Sequence, residues 1–207
     1  MVYGKRLAIA LREIVLITRK DGPGAAYNWA KRRAFNVTES LLVVRSGPFP
    51  APTVPGDVRI VAITPADAEA KQQDAVTGGA GPEVLNFQRG AVCYVAYVGD
   101  EPAGVGWRFP DSRLLRRLGF DDRAVYVGGF FVRPRYRGRN LYPLLLEHIG
   151  SDSLRSDQLA FAEVSERNVA SIRGLRKVGF RLAGKLRLIS VAGVIVSCRL
   201  TAGPATW

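Results

Sequence analysis

Four arginines recur at every second position in VRPRYRGRNLY, from Val132 to Tyr142: Arg133, Arg135, Arg137 and Arg139. Guanidinium groups hold phosphate oxygens through paired N–H donors and keep their charge at any physiological pH. An apolar, Gly-containing run from Ala124 to Val132 precedes them, and a run carrying Leu144, Leu145 and Leu146 follows. A strand that passes straight into a helix leaves the first helical N–H groups unpaired, and the helix dipole adds partial positive charge there. The spacing therefore predicts an anion site for phosphate at a helix start. Gly138 lets the backbone approach such a ligand with no side chain in between.

Groups able to move a proton lie on the neighbouring elements. Strand alternation puts Tyr126 and Gly128 on one face with Phe130 and Val132, which makes Tyr126 a candidate to steer a proton or a water. Glu163 and Glu166 stand near the end of the next apolar run, and either serves as a base if burial raises its pKa. The plainer reading is a structural tyrosine and two surface acids beside arginines. A second strand-to-helix unit spans Val164 to Phe180, VSERNVASIRGLRKVGF. Asn168 caps its helix, Ala170, Ile172, Leu175 and Val178 point inward, and Gly179 closes it. Two successive units of this kind bring both polar turns to one sheet edge, where open α/β sheets bind ligands.

This pair of stretches resembles the GNAT N-acetyltransferase superfamily. Arg137 to Tyr142, RGRNLY, is similar to that family's pyrophosphate turn, Q/R-x-x-G-x-G/A, with Asn140 and Tyr142 at the two positions where small residues are usual. Asn168, Ser171, Gly179 and Phe180 fall on its second signature. The resemblance runs from about Asp57 to Leu200 and implies a mixed α/β fold, with a mostly antiparallel central sheet flanked by helices. It also implies acetyl-CoA or another acyl-CoA as co-substrate, held by the backbone of Phe130, Phe131 and Val132 and by Arg137, Gly138, Arg139, Asn140, Leu141, Tyr142 and Asn168. The family often places a tyrosine seven residues after the Asn to protonate the departing thiolate. Leu175 stands there, which leaves that proton to water or to the amine.

The elements that must position these residues follow from patterning. Residues Tyr3 to Lys20 carry apolar residues at helical spacing between basic ones, and Ala25 to Phe35 reads as a second short basic helix. Ser40 to Arg45 reads as a strand, and Gly47 to Gly56 as a Pro-rich linker. A basic N-terminal extension over residues 1–50 and an acyltransferase-like domain over 57–200 are expected. In the domain, Val58 to Ile63 is a strand and Pro65 to Asp74 a helix. A hairpin follows from Ala91 to Phe109, turning at GDEP, and then a short helix from Asp111 to Phe120. Phe180 to Lys185 and Arg187 to Arg199 are read as the closing strand pair, the latter interrupted at Ala192 and Gly193.

The chain has 207 residues, 47% hydrophobic and 23% charged, which are globular values. Thirty Lys and Arg against 18 Asp and Glu give a formal charge of +12, which favours anionic partners. Cys93 and Cys198 lie in apolar runs without metal-ligand spacing, and His148 is the only histidine, so no metal site is expected. No uncharged N-terminal run approaches the ~20 residues of a membrane span, and Arg12 and Glu13 interrupt any secretory core. A cytoplasmic location is expected, with a peripheral place on the inner face of the membrane as the alternative.

Three functions follow. The first is N-acetyl transfer from acyl-CoA to an amine on a small molecule or a protein. The second is a membrane-associated acyltransferase that uses acyl carrier protein or modifies a lipid or polysaccharide precursor, suggested by the basic apolar N-terminus and an anionic membrane surface. The third is non-catalytic binding of an anion or nucleic acid. Nucleic acid is the least expected partner, because the arginines cluster on a turn suited to pyrophosphate and no nucleic-acid motif is present.

Overall fold

A computed structural model describes residues 18–19, 22–24, 35–67, 90–191 and 194–202. The chain divides into two compact units, residues 40–185 with 200–207, and residues 1–39 with 186–199. The described elements, in order, are β1 (Phe35–Arg45), β2 (Val58–Ile63), β3 (Val92–Val98), β4 (Glu101–Phe109), α1 (Arg113–Arg117), β5 (Ala124–Val132), α2 (Leu141–Ser153), β6 (Leu159–Val164), α3 (Val169–Lys177), β7 (Arg181–Val191) and β8 (Val194–Ala202). The strands form one mixed α/β sheet in the order β2-β3-β4-β5-β6-β1-β7-β8. β2–β3, β3–β4, β4–β5 and β1–β6 pair antiparallel, and β5 and β6 run parallel, as a crossover through α2 requires.

The larger unit carries the site. Leu145, Leu146 and Ile149 of α2 and Leu175 and Val178 of α3 pack on Val127, Ala160, Ala162 and Tyr94 of the sheet. The opposite sheet face buries Cys93, Val95, Val105 and Trp107. In the smaller unit Glu39 and Arg187 approach as an ion pair at 3.8 Å.

Two features of the larger unit differ from the alternation and pairing that the sequence suggests. Val105 pairs with Phe131 and Trp107 with Gly128, so Gly129 and Phe130 together oppose Gly106 in a β-bulge. Gly129 has φ +62°, and a Cβ there would lie 2.8 Å from the Trp107 ring. Each bulge shifts side-chain phase by one residue, so Tyr126 does not share a face with Phe130 and Val132. Tyr126 packs against Phe109 on one side of the sheet, whereas Phe130 meets the ring of Tyr142 from α2 on the other. Secondly, β1 pairs with β6 through Leu41 to Arg45, so the expected strand at Ser40 to Arg45 is an inner strand that starts earlier, at Phe35.

Other boundaries shift less. The hairpin turns at Gly99–Asp100, with Glu101 and Pro102 already in β4. β7 runs through the buried Leu186 to Val191 and β8 starts at Val194, so the break expected at Leu186 is absent, and the strands end and start on either side of the expected interruption. Of the helix expected at Pro65 to Asp74, residues 65–67 form a turn and the rest lies outside the described residues. The helices expected at Tyr3 to Lys20 and Ala25 to Phe35 fall almost entirely outside them as well. Among the described residues no helix is long and apolar enough to cross a membrane.

Candidate functional site

β5 and β6 pair only at Ala124–Leu159, Val125–Ala160 and Tyr126–Phe161. Beyond Tyr126 their pairing ends, and the edge of β5 that faced β6 has no strand partner among the described residues. A cleft of about 700 Å³ opens there. Its walls are Phe130 to Val132 of β5, the Tyr136 to Pro143 turn, Asn168, and one face of α3 formed by Ala170, Ser171, Arg173, Gly174 and Lys177.

The turn bends sharply just before α2. Pro134 to Tyr136 form one 3-10 turn, Gly138 takes φ +83°, and Asn140 takes φ +57° immediately before α2. Asn is among the few residues with a side chain that enter the left-handed region at modest cost. With the chain bent this way, the N–H groups of Gly138 through Tyr142 find no backbone acceptor among the described residues. Pro143 has no N–H to leave unpaired.

The four arginines divide into two sets. Glu101 accepts hydrogen bonds from Arg135 and, at 2.5 Å, from the Tyr136 hydroxyl. Asp57 accepts from Arg139, which holds the Asp57 carboxyl below its usual range. Arg133 donates to the Pro102 carbonyl at 3.1 Å. Arg137 donates to the Val132 carbonyl at 3.3 Å, has no carboxylate partner among the described residues, and lines the cleft. Neither acid was visible in the sequence pattern, because Asp57 and Glu101 lie on other strands' starts, far from the turn along the chain.

The α3 wall is shaped by its cap and its small residues. Asn168 Oδ1 accepts the Ser171 N–H at 3.2 Å, as the cap position requires. Tyr142 lies across the cleft floor, its ring against Gly174, where a Cβ would overlap it. Its hydroxyl shares a hydrogen bond with Ser171, and burial pushes its pKa up. Leu175, at the position where the family often has a tyrosine, is 1% exposed and belongs to the core.

On the far side of the opening the structure brings Tyr126 and Glu163 together. The Tyr126 ring lies over Gly128, its hydroxyl directed along β5 toward the gap. Burial pushes its pKa up, with Glu163 and Tyr142 nearby adding to the rise. Glu163 accepts a 2.7 Å hydrogen bond from Ser40 Oγ of β1. Ser40 is a member of this cluster that sequence reading missed, since only the β1–β6 register reveals it. Glu166 is separate: it is exposed in the turn after β6, paired with Lys185 at 2.8 Å. His148 is half-buried beside Tyr94, and burial lowers its pKa. Among the described residues no cluster of His, Cys, Asp or Glu could hold a metal ion.

A mixed α/β sheet of this kind is found in solved structures of known proteins. The sequence matches the acetyltransferase (GNAT) family over residues 65–180, more than half the chain, and the protein belongs to that family. Solved structures with a similar fold include a protein from Novosphingobium aromaticivorans assigned to the GNAT family, 20% identical, with TM-score 0.55 over 76% of this chain and 68% of that one. A GCN5-related N-acetyltransferase from Sphaerobacter thermophilus is 16% identical, with TM-score 0.52 over 89% and 59%. Another, from Kribbella flavida, is 14% identical, with TM-score 0.51 over 81% and 63%. The chain thus spans less than two thirds of the length of the latter two. No curated protein matches it.

Proposed function

We propose that the protein transfers an acetyl group from acetyl-CoA to a primary amine. The observation that carries this reading is the two-ended cleft. One end offers to a pyrophosphate Arg137 and the turn's N–H groups, which have no backbone acceptor among the described residues. The other runs between the unpaired edge of β5 and the small residues Ala170 and Ser171, neutral walls suited to an amide-bearing arm. A diphosphate joined to a neutral polyamide arm ending in a thioester has this shape and charge distribution.

An arm laid along Phe130 to Val132 delivers its thioester to the gap past Tyr126 and Phe161. The acceptor amine enters from the opposite face, where Glu163 takes its proton while Ser40 orients the carboxylate. The amine nitrogen bonds to the carbonyl carbon, the C–S bond breaks, and the thiolate leaves with a proton. Tyr126 stays protonated at neutral pH, since its pKa is raised, and steers the amine or a water in the gap. Much of the acceleration comes from holding amine and thioester together.

Thermal unfolding with CoA and acetyl-CoA tests the donor. A ligand bound only by the folded chain stabilises it by about 2.7 kcal/mol at 100 times Kd. A melting temperature that saturating CoA and acetyl-CoA leave unmoved sinks the proposal. Arg137→Glu and Gly138→Glu should each remove the shift, and a shift that survives both means the donor lies elsewhere.

A further inference from the structure

The larger unit carries a second pocket, which shares no lining residue with the cleft. It lies at Leu159, where β6 starts, whereas Asn168 of the cleft follows the end of that strand. Its volume of about 500 Å³ falls within the ~300–1,000 Å³ of small-molecule sites. Val44, Phe120, Leu159, Phe161 and Ala183 give it apolar walls, and Arg181 stands among them with no Asp or Glu in the lining. We propose that this pocket takes the body of the acceptor, an elongated amino acid with its amine at one end, hydrocarbon in the middle and a carboxylate at the other. The assignment rests on the acetyl-transfer reading above.

The pocket is on the acceptor side of the sheet. Ala160 and Ala162 of β6 belong to the core beneath α2 and α3, so Leu159, Phe161 and Glu163 alternate to the other face. The β1–β6 register sets Val44 beside Phe161 and Leu42 beside Glu163. One pocket wall and the carboxylate assigned to the amine's proton thus share one face of one strand, about 7 Å apart along it. An amine placed at Glu163 has Phe161 next to it in the direction of the pocket. The Phe120 ring, 4.4 Å from that of Phe161 between centroids, extends the apolar wall.

Charge decides the far end of the ligand. Arg45 also lines the pocket, but its guanidinium donates to the carbonyls of Val178 and, at 3.2 Å, Pro48, and lies over the Phe49 ring. Arg181 is exposed and has no carboxylate partner among the described residues. A guanidinium beside apolar walls and no acid suits a carboxylate, which it holds through paired N–H donors. Because β1 lies between β6 and β7, Arg181 stands about 10 Å across the sheet from β6. Amine and acid are therefore held apart, which disfavours α-amino acids, whose two groups share one carbon. In the transfer the amine nitrogen bonds to the acetyl carbon and the C–S bond breaks. The proton lost by the amine balances the one taken up by the thiolate, and the distal carboxylate is unchanged.

The test gives the full chain acetyl-CoA with 8-aminooctanoate, octylamine or alanine, and uses octanoate as a ligand that lacks the amine. The native protein should favour 8-aminooctanoate over octylamine about tenfold in kcat/KM and use alanine least. Octanoate should bind in calorimetric titration and compete with the amine but not with acetyl-CoA. Arg181→Gln should raise KM for 8-aminooctanoate about tenfold with little change in kcat, remove the preference over octylamine and weaken octanoate binding about tenfold. Ala183→Phe, which fills the pocket from its wall, should raise KM for both long amines while CoA affinity holds. Equal use of 8-aminooctanoate and octylamine by the native protein overturns the proposal, as does a preference that survives Arg181→Gln. Octanoate binding is read without turnover, so the two failures separate. A chain that binds CoA but not octanoate loses the pocket and keeps the donor reading, and one that binds octanoate but no CoA species loses the acetyl-transfer reading and the acceptor assignment with it.

Discussion

The ring of Tyr142 on α2 lies directly on Gly174 of α3, so that a bulky residue in the first turn of α2 is accommodated by the absence of a side chain 32 positions later. The pair joins the two helices that wall the cleft, and it explains how a tyrosine fits where a small residue is usual.

Gly174→Ala should therefore destabilise the protein, by about 1–3 kcal/mol of overpacking less up to about 1 kcal/mol of gained helix propensity. With Tyr142→Ala already in place the sign should reverse, because only the propensity gain remains. Denaturant unfolding of the four proteins in this cycle reads the coupling directly, and additive effects would show that the two residues do not press on each other.

Asn140 holds φ +57° without a side-chain cap bond. Replacing it with Gly should keep or raise stability, by up to about 1 kcal/mol, whereas Val should cost about 1–2 kcal/mol and weaken CoA binding by distorting the turn. Melting temperatures of both variants, with and without CoA, check this. Equal stability of the Gly and Val forms would contradict the left-handed turn.

Glu163→Gln should lower turnover by on the order of 100-fold while leaving CoA affinity unchanged, since the carboxylate stands on the acceptor side of the gap. Raising the pH, which deprotonates the amine without help, should recover much of the loss. Glu166→Gln should have little effect on either quantity, because Glu166 is an exposed partner of Lys185. Steady-state rates against pH for the two variants separate the carboxylates.

Burial raises the Cys93 thiol from 9.0 to about 12. The unfolded chain therefore releases this proton earlier than the folded one. The stability it contributes is complete below pH 9 and is lost as pH climbs toward 12, at up to about 1.4 kcal/mol per pH unit. Cys93→Ala should flatten that decline while costing stability at neutral pH through the cavity it leaves. Denaturant midpoints at pH 8, 9.5 and 11 measure both effects.

The sequence made the two strand-to-helix units and the mixed sheet legible, because each rests on local signals, such as a cap at Asn168 and a Gly closing α3. What escaped it depends on partners distant in the chain. The bulge at Gly129 and Phe130 leaves no local signature beyond a glycine pair, yet it moves Tyr126 to the face opposite Phe130. Ser40 reaches Glu163 only because β1 lies against β6. The carboxylates that draw Arg135 and Arg139 away from the cleft are likewise set by tertiary placement.

The parting of β5 from β6 has a wider consequence. Past Tyr126, β5 presents its peptide groups, and any residue but proline supplies the same N–H and C=O. A scan of alanine replacements at positions such as Phe131, whose side chain is 38% exposed, would pass over this surface almost in silence. Replacing single amides by esters along β5 would make it speak, and a donor arm laid there as proposed would meet groups that survive any change of side chain but proline.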